Sequence, residues 1–259
     1  MSTDFQRNAF KHALAAGKLQ IGLWSSLCSN IAADIISDSG FDWLLLDTEH
    51  SPNEIPDLVG QLQAVRGGTA TPIVRPAWND TVLIKRVLDI GAQSLLIPYV
   101  QNVDEARAAV AAIRYPPGGV RGVAGSTRAT RFGRIADYAK RAHDELCLLV
   151  QLETESALRH VEAIAAIDGI DGIFIGPADL HASMGYTGEV ANPRVFPLIE
   201  DALRRIRATG KAPGILVTDE ALAQRCFDAG SLFTAVGVDT VLLARSADAL
   251  ARKFDRGGR

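Results

Sequence analysis

LCLLVQLETE, residues 146–155, is an apolar run that turns polar at its C-terminal end. Asp144 and Glu145 lie at its start and a helical pattern follows it, which is typical of a parallel strand buried on both faces. GIFIGPAD, residues 172–179, is a second apolar run that also finishes in a carboxylate. Carboxylates at the C-terminal ends of two neighbouring buried strands would face one cavity, and this arrangement outlines a metal site.

Strand-like and helical patterns alternate along the whole chain. The eight predicted strands cover residues 20–25, 43–49, 71–77, 94–100, 146–154, 172–178, 212–218 and 233–238. The helical patterns between and after them cover residues 30–39, 54–66, 80–90, 103–113, 155–167, 194–209, 219–229 and 240–254. Eight strand–helix pairs match the number and size of a single-domain (β/α)8 TIM barrel over residues 1–259. A doubly wound open sheet is the structural alternative, because a sequence pattern does not show whether a sheet closes.

Composition narrows the class of protein. A hydrophobic content of 47% with 22% charged residues is ordinary for a soluble domain of enzyme size. The net charge of −3 provides no basic field for nucleic acid or a membrane surface, so a small-molecule partner is expected. Three cysteines, odd in number and without CxxC spacing, argue against a disulfide framework. Residues 1–18 do not resemble a signal peptide or membrane span, so we expect a cytoplasmic protein.

In a TIM barrel, chemistry takes place at the C-terminal ends of the strands and in the loops after them. Polar and aromatic residues collect at these positions in five of the predicted strands. They are Trp24, Ser25, Asp47, Glu49, His50, Arg75, Gln151, Glu153, Gly176 and Asp179. Strand seven is apolar at its end, through Leu216 and Val217. The sequence therefore predicts an active site at this end of the barrel.

Glu153 and Asp179 are the candidate metal ligands. Their carboxylates suit a hard divalent cation such as Mg²⁺ or Mn²⁺, which leaves coordination positions open for a substrate. The alternative is that both residues only cap the helices that follow them. The barrel fold favours the metal, because it places both residues at the catalytic face.

Arg75 and His50 are the candidates for charge stabilisation and proton transfer. Pro76 holds the backbone of Arg75 extended, so its guanidinium is expected to project into the cavity and stabilise negative charge. A structural ion pair at the barrel mouth is the alternative. His50 follows Asp47 by three residues, which allows the carboxylate to orient or charge the imidazole for proton transfer. Without that carboxylate, a surface role would be the better interpretation of His50.

Two loops are further candidates for ligand binding. At residues 176–178, Gly176 would let the backbone approach a ligand and the Ala178 amide would face a substrate carboxylate. A plain turn is the alternative there. Residues 115–145 form a long segment with Gly, Pro and Arg, and long segments inside compact domains are usually functional. Because this segment comes after strand four, we expect it on the catalytic face.

Together these residues resemble the HpcH/HpaI aldolase family, the metal-dependent class II pyruvate aldolases. The matching stretches are LDTEH at 46–50, IVRP at 73–76, YPP at 115–117 through RG at 121–122, QLET at 151–154, IGPADL at 175–180, KAPGI at 211–215 and VGVD at 236–239. They extend from about residue 22 to the last helix, and their combination is specific.

The resemblance implies a (β/α)8 barrel and reversible aldol cleavage of a 4-hydroxy-2-keto acid to pyruvate and an aldehyde, with Mg²⁺, Mn²⁺ or Co²⁺. It also implies a role for each candidate residue. Glu153 and Asp179 would bind the cation, and Arg75 and Gln151 would bind the keto acid, whose carboxylate would meet the backbone of Gly176 and Ala178. His50 with Asp47 would move protons. Trp24 and Leu216 would face the far end of the substrate, and Asp89 would approach a neighbouring subunit's site.

The resemblance further implies a homohexamer, built as a trimer of dimers, with the last helix (about residues 240–254) packed on a neighbouring subunit. Family members take succinic semialdehyde, tartronate semialdehyde or lactaldehyde, and a role in aromatic catabolism is one expectation. The alternatives are a 2-dehydro-3-deoxy-sugar-acid aldolase of the same family, a CoA-thioester lyase and a non-catalytic barrel that binds a keto acid.

The lysines argue against an aldolase that works through a Schiff base. Such an enzyme needs an inward-pointing lysine on a barrel strand. The chain has six lysines, which are Lys11, Lys18, Lys85, Lys140, Lys211 and Lys253. Each precedes a predicted strand or lies in a helical pattern, so the sequence favours the metal-dependent mechanism.

Overall fold

The computed structural model describes residues 6–254 and contains a closed barrel of eight parallel strands. The strands are β1 (Gln20–Ser25), β2 (Trp43–Asp47), β3 (Thr71–Arg75), β4 (Ser94–Ile97), β5 (Cys147–Leu152), β6 (Gly172–Ile175), β7 (Ala212–Leu216) and β8 (Phe233–Val238). Each strand pairs with the next along the chain, and β8 pairs with β1. The (β/α)8 prediction is confirmed, and the open sheet is excluded.

The helices surround the barrel, and several begin where a side chain caps the first turn. They are α1 (Ala9–Ala15), α2 (Asn30–Ser37), α3 (Ile55–Ala64), α4 (Thr81–Asp89), α5 (Val103–Ile113), α6 (Tyr138–Glu145), α7 (Glu155–Leu158), α8 (Val161–Ala165), α9 (Pro177–Ser183), α10 (Phe196–Ala208), α11 (Glu220–Asp228) and α12 (Asp239–Lys253). Asp80 and Asn102, for example, accept backbone N–H bonds at the starts of α4 and α5. These caps satisfy donors that have no partner inside the helix.

Aromatic side chains fill the end of the barrel opposite the predicted site. Phe10 of α1 packs against Trp43 and Phe233, with ring centroids 6.0 and 5.9 Å away. Gly22 makes room for this cluster, because a Cβ at that position would overlap the Trp43 ring. The cluster closes one end of the barrel, so ligands can enter only at the other end, which we call the mouth.

The segment that connects α5 to α6, residues 114–137, does not lie at the mouth of its own barrel. Arg128 donates to the backbone oxygens of Ile90 (2.7 Å) and Leu62 (3.3 Å), at the C-terminal ends of α4 and α3. The expectation that this segment lies on the catalytic face is wrong, because α5 returns the chain to the opposite end of the barrel before the segment begins.

The last helix, α12, leaves much of its apolar surface uncovered. Leu242, Leu243 and Leu250 are 49%, 60% and 59% exposed, and Ile31 and Ile35 of α2 are 67% and 69% exposed. Exposed apolar side chains grouped on two helices are a sign of an interface between proteins.

Among residues 6–254, no helix is both long enough and apolar enough to cross a membrane.

Candidate active site at the barrel mouth

A clamp of two carboxylates and an indole ring holds Arg75 at the end of β3. The register pairs Asp47 of β2 with Arg75, so their side chains meet. Arg75 Nε and Nη2 donate to the two Asp47 oxygens at 2.8 and 2.6 Å. Arg75 Nη1 lies 2.7 Å from Glu49 Oε2, at ion-pair distance but outside hydrogen-bonding geometry. The guanidinium carbon lies 4.9 Å from the centroid of the Trp24 ring, so the cation is fixed on several sides.

Trp24 and Asp47 support Arg75. Burial raises the pKa of Asp47, but the hydrogen bonds and charge of Arg75 outweigh burial, and the net pKa lies below its ordinary value. Trp24 Nε1 also donates to Asp47, at 3.2 Å. The Trp24 side chain is only 4% exposed, so it offers little free surface for the far end of a substrate, contrary to the sequence expectation.

His50 stands at the rim of the mouth, with 67% of its side chain exposed. The expected pair between His50 and Asp47 is not formed, because Asp47 already accepts bonds from Arg75, from Trp24 and from the backbone of Glu49. His50 Nε2 instead lies 3.9 Å from Glu49 Oε1. The carboxylate beside the imidazole is therefore Glu49.

Glu153 forms the opposite wall of the site, just after β5. Its side chain is buried, with Oε2 accepting from Gln151 Nε2 at 2.6 Å and Oε1 from the Tyr99 backbone N–H at 2.8 Å. Gly176 packs against this pair, because a Cβ there would lie 2.5 Å from Glu153 Oε2 and 3.0 Å from Gln151 Nε2. The close approach at Gly176 is to the side chains of Glu153 and Gln151, and contact of this backbone with a ligand stays a prediction.

Three carboxylates repel one another across the mouth. Burial and the negative charges of Asp179 and Glu49 raise the pKa of Glu153 to about 7, although the hydrogen bond from Gln151 lowers it. Burial and the charge of Asp179 likewise raise the pKa of Glu49 to about 6, although the positive charge of Arg75 lowers it. A proton or a cation would relieve this repulsion.

The donor set fits a hard divalent cation. Among the described residues, no group of three or more His, Cys, Asp or Glu side chains is arranged to hold a metal. Mg²⁺ needs fewer protein ligands, because it usually binds one or two carboxylates and keeps several waters. The Gln151 Oε1 atom is also buried without a hydrogen-bond partner. Glu153 and Asp179, with this free oxygen nearby, can provide the oxygen ligands that Mg²⁺ prefers.

The other predicted residues are more scattered. Ala178 lies exposed in the first turn of α9, and Leu216 is half-buried at the end of β7. Asp89 ends α4, a helix that begins beside the mouth and runs away from it. There Asp89 Oδ1 pairs with Nη2 of the buried Arg121 at 3.1 Å. The fold thus separates Asp89 from the site of its own chain.

Sequence reasoning missed two contributors to the site. Glu49 was one of the polar residues after strand two but received no role, although its position two residues after Asp47 suggests the same side of the chain. Tyr99 was not a candidate at all, because its contribution is a backbone N–H. Its left-handed backbone, with φ of +53°, has no signature in the sequence.

Replacing Glu49 with Gln should change how stability depends on pH. Between pH 4.5 and 6 the folded protein holds a proton on Glu49 that the unfolded chain releases, so this residue's contribution to stability is lost as pH rises through that window. The free energy of unfolding of the wild type should therefore fall relative to Glu49→Gln, by at most about 2 kcal/mol. Urea unfolding of chelator-treated protein at fixed concentration measures this; a constant difference from pH 4.5 to 7.5 would contradict it.

Comparison with known proteins gives one consistent result. The family model for HpcH/HpaI aldolase/citrate lyase matches residues 20–246. A Rhizobium etli protein named pyruvate aldolase is 58% identical over 247 residues, 95% of this chain and 97% of the relative. A Klebsiella pneumoniae protein named 4-hydroxy-2-oxo-heptane-1,7-dioate aldolase is 55% identical over 248 residues, 95% of this chain and 94% of the relative.

Solved structures share the fold. A Burkholderia cenocepacia protein of the HpcH/HpaI aldolase/citrate lyase family superposes with a TM-score of 0.91 at 36% identity, covering 95% of this chain and 98% of the other. A citrate lyase beta subunit from M. tuberculosis, complexed with oxaloacetate and magnesium, has a TM-score of 0.57 at 16% identity, covering 87% of this chain and 93% of the other. The second likeness concerns the fold alone.

Proposed function

This chain belongs to the HpcH/HpaI aldolase/citrate lyase family, and from that premise we propose that it is a divalent-metal-dependent aldolase. It cleaves a 4-hydroxy-2-keto acid reversibly into pyruvate and an aldehyde. The first substrate to test is 4-hydroxy-2-oxo-heptane-1,7-dioate, which appears in the names of several relatives that are 55–56% identical.

One observation carries the proposal: the fixed Arg75 cation shares the mouth with three mutually repelling carboxylates, of which Glu153 is buried. Arg75 is held by Asp47 and Glu49, while Glu153 and Asp179 leave a demand for positive charge. A 2-keto acid presents a carboxylate and a carbonyl oxygen side by side. The two walls together would bind those oxygens through Arg75 and a cation.

Arg75 has N–H groups to spare for a substrate. A guanidinium carries five N–H donors, of which the Asp47 carboxylate takes two. The remaining donors can hold the keto oxygen, and their fixed position avoids reorganisation as negative charge grows on that oxygen. Gln151 holds Glu153 in place, and its free oxygen is available to the same site.

Glu153 and Asp179 would hold the cation. When bound, the cation supplies a positive charge for the substrate's carboxylate and keto oxygens while the C3–C4 bond breaks. His50 would accept the proton of the C4 hydroxyl, because it is the only histidine among residues 6–254 that lies in a loop between the end of a strand and the helix that follows it. Glu49, 3.9 Å away, would stabilise the imidazolium that results.

The positions of the lysines support this mechanism over a Schiff base. All six lie in the described part of the chain, and none lies in the loop directly after the C-terminal end of a strand. Lys11 pairs with Asp171 at 2.8 Å, and Lys211 donates to the Ile170 backbone at 2.6 Å, both at the closed end of the barrel. No lysine in residues 6–254 is therefore placed to attack a keto acid at the mouth.

Purified protein incubated with Mg²⁺ and 4-hydroxy-2-oxo-heptane-1,7-dioate tests the proposal. We expect pyruvate, measured with lactate dehydrogenase, together with an equal amount of succinic semialdehyde. Cleavage only of a 2-dehydro-3-deoxy sugar acid would place the chain with the sugar-acid aldolases of the family. Failure to cleave any 4-hydroxy-2-keto acid would overturn the proposal.

We further propose that neighbouring subunits complete one another. The exposed apolar side chains of α12 would pack on a neighbouring barrel, which makes the exposed faces of α12 and α2 parts of one interface. A hexamer, built as a trimer of dimers, would arise in this way and would carry each Asp89 to a neighbour's mouth. The hexamer, the cytoplasmic location and the role in aromatic catabolism stay predictions.

Mixed oligomers test the sharing of sites. Asp89→Ala and His50→Ala should each be poorly active, but a neighbour pair with one subunit of each kind contains one intact site. Equal mixing by unfolding and refolding should recover roughly a quarter of wild-type activity if the exchange is reciprocal. Activity that never exceeds the sum of the two variants would place Asp89 in the scaffold of its own subunit.

A further inference from the structure

Trp78 and Tyr99 form a stacked pair of exposed aromatic rings, which we call the aromatic platform. Their ring centroids lie 5.6 Å apart at an interplanar angle of 27°. Trp78 is 51% exposed and Tyr99 is 38% exposed. Trp78 follows Arg75 by three residues after β3, and Tyr99 comes two residues after the end of β4. Both rings therefore belong to loops on the same side of the barrel as the active site.

The platform is tied directly to the proposed metal site. The Tyr99 backbone N–H donates to Glu153 Oε1 at 2.8 Å, and the next residue, Val100, donates its N–H to the Gln151 backbone oxygen at 3.0 Å. Tyr99 adopts a φ of +53°, a conformation that bulky residues rarely adopt unless their surroundings impose it. The loop is thus held against β5, with the Tyr99 backbone beside the carboxylate that would bind the cation and the Tyr99 ring stacked on Trp78.

Acidic residues follow the platform on both of its loops. Asp80 caps α4 two residues after Trp78, and Asp104 and Glu105 lie in the first turn of α5. Asn79 joins the two loops by donating to the Glu105 backbone oxygen at 3.0 Å. Arg107 offsets only Asp104, at 3.2 Å. The ring faces of the platform would therefore favour an uncharged flat ring, and the carboxylate of succinic semialdehyde would bind away from them.

We propose that the aromatic platform is an acceptor subsite for uncharged aromatic aldehydes. Resting on the proposed aldolase function, this adds condensation of pyruvate with an aryl aldehyde to the reactions of the chain. The pyruvate methyl group loses a proton, its carbon bonds to the aldehyde carbon, and the aldehyde oxygen takes up a proton to become the C4 hydroxyl. The product is a 4-aryl-4-hydroxy-2-keto acid, and no oxidant or reductant is needed.

The recognition would come from the ring faces. A stacked pair covers one face of each ring and leaves the other available, and a further aromatic group can pack there face-offset or edge-on. The metal side of the site would hold pyruvate while the platform holds the ring of the aldehyde. Because the loop that carries Tyr99 also holds Glu153, the pyruvate site and the aldehyde site would keep a fixed position relative to each other.

Trp78→Leu and Tyr99→Leu test this proposal, because leucine keeps an apolar side chain and removes the ring. We measure kcat/KM for benzaldehyde and for succinic semialdehyde with saturating pyruvate. The ratio of the two should fall by about three- to tenfold in each variant, the size expected for loss of one aromatic contact. The control is Tyr186→Leu, since Tyr186 is also an aromatic loop residue but follows α9, a helix that begins at the mouth and runs away from it.

Two outcomes would overturn the inference: wild-type protein that does not condense pyruvate with benzaldehyde, or a ratio unchanged within twofold in both platform variants. Exchange of the pyruvate methyl protons, measured without aldehyde, separates this failure from failure of the proposed function. If the wild type exchanges protons with metal present, the aldolase proposal stands even when the platform is refuted. A wild type that neither exchanges these protons nor cleaves keto acids would refute both.

Discussion

Arg75→Lys is expected to slow both aldol cleavage and pyruvate proton exchange by about 10²- to 10³-fold, the loss typical of removing one preorganised donor to a developing oxyanion. Lysine keeps the positive charge but not the planar fork. A single ammonium cannot reproduce the paired bonds of 2.8 and 2.6 Å to Asp47, the contact with Glu49 and the position over Trp24. Since both reactions pass through the same negative charge on the keto oxygen, they should lose rate together.

The rates of both reactions, measured at saturating metal, check this prediction. Arg205→Lys is the matched control, because Arg205 makes the same two-pronged contact with Glu162, at 2.7 and 2.6 Å, on the outer surface. The control should keep wild-type rates. Rates within threefold of the wild type in Arg75→Lys would make Arg75 a structural ion pair, the alternative that its strand-end position left open.

Glu153→Gln should cost at least about 10²-fold in affinity for Mn²⁺ and a comparable or larger factor in turnover, since mutation of groups that only hydrogen-bond to metal ligands already costs about 10- to 100-fold. The amide is nearly the same size and can still accept the Tyr99 bond, so the fold should survive. The carboxylate charge is lost, and that charge is the main attraction for a hard cation. Without metal, the variant should also be more stable than the wild type above pH 7, because a buried charge has been removed.

Titration of metal-free protein with Mn²⁺, followed by electron paramagnetic resonance, measures the affinity without relying on activity. Glu155→Gln is the control, because Glu155 lies two residues away but is exposed and pairs with Arg159 at 3.4 Å. Unchanged Mn²⁺ affinity in Glu153→Gln would remove this residue from the metal site and leave it as a buried structural carboxylate.

The barrel could be predicted from the sequence because each strand is a short apolar run followed by a helical pattern. The residues at which the strands end were predicted less accurately than the strands themselves. Six of the eight predicted strands extended two or three residues too far, as in β2, which ends at Asp47 and not at residue 49. The polar residues after Asp47 leave the ladder and form the loop that carries Glu49 and His50. Period-two patterns do not mark the residue where pairing stops.

The pairing of Arg75 with Asp47 depends on strand register, which a single sequence does not reveal. The three-residue spacing between Asp47 and His50 suggested a pair within one loop, yet β2 and β3 bring a stronger partner alongside. A guanidinium offers two parallel donors to a carboxylate, and this geometry is favoured over a single imidazole contact. Nearness in sequence was therefore the wrong guide to the partner of Asp47.

The segment at residues 114–137 shows the same limit on a larger scale. Its composition and length suggested a functional loop. Which end of the barrel such a segment occupies depends on whether it follows a strand or a helix. Since α5 lies between β4 and this segment, the chain has already returned to the opposite end. A role at a neighbouring subunit's mouth would need the proposed oligomer, which the sequence suggests only through the family resemblance.

Exchange of the pyruvate methyl protons with D₂O, followed by proton NMR, tests the central claim most directly. It isolates removal of the proton at C3 and needs no knowledge of the aldehyde. We predict no exchange in chelator-treated protein whose metal removal has been verified, full exchange after addition of Mg²⁺, Mn²⁺ or Co²⁺, and no effect of borohydride on either. Exchange that persists without metal, with a borohydride-dependent mass increase on one lysine, would contradict the account and the roles of Glu153 and Asp179.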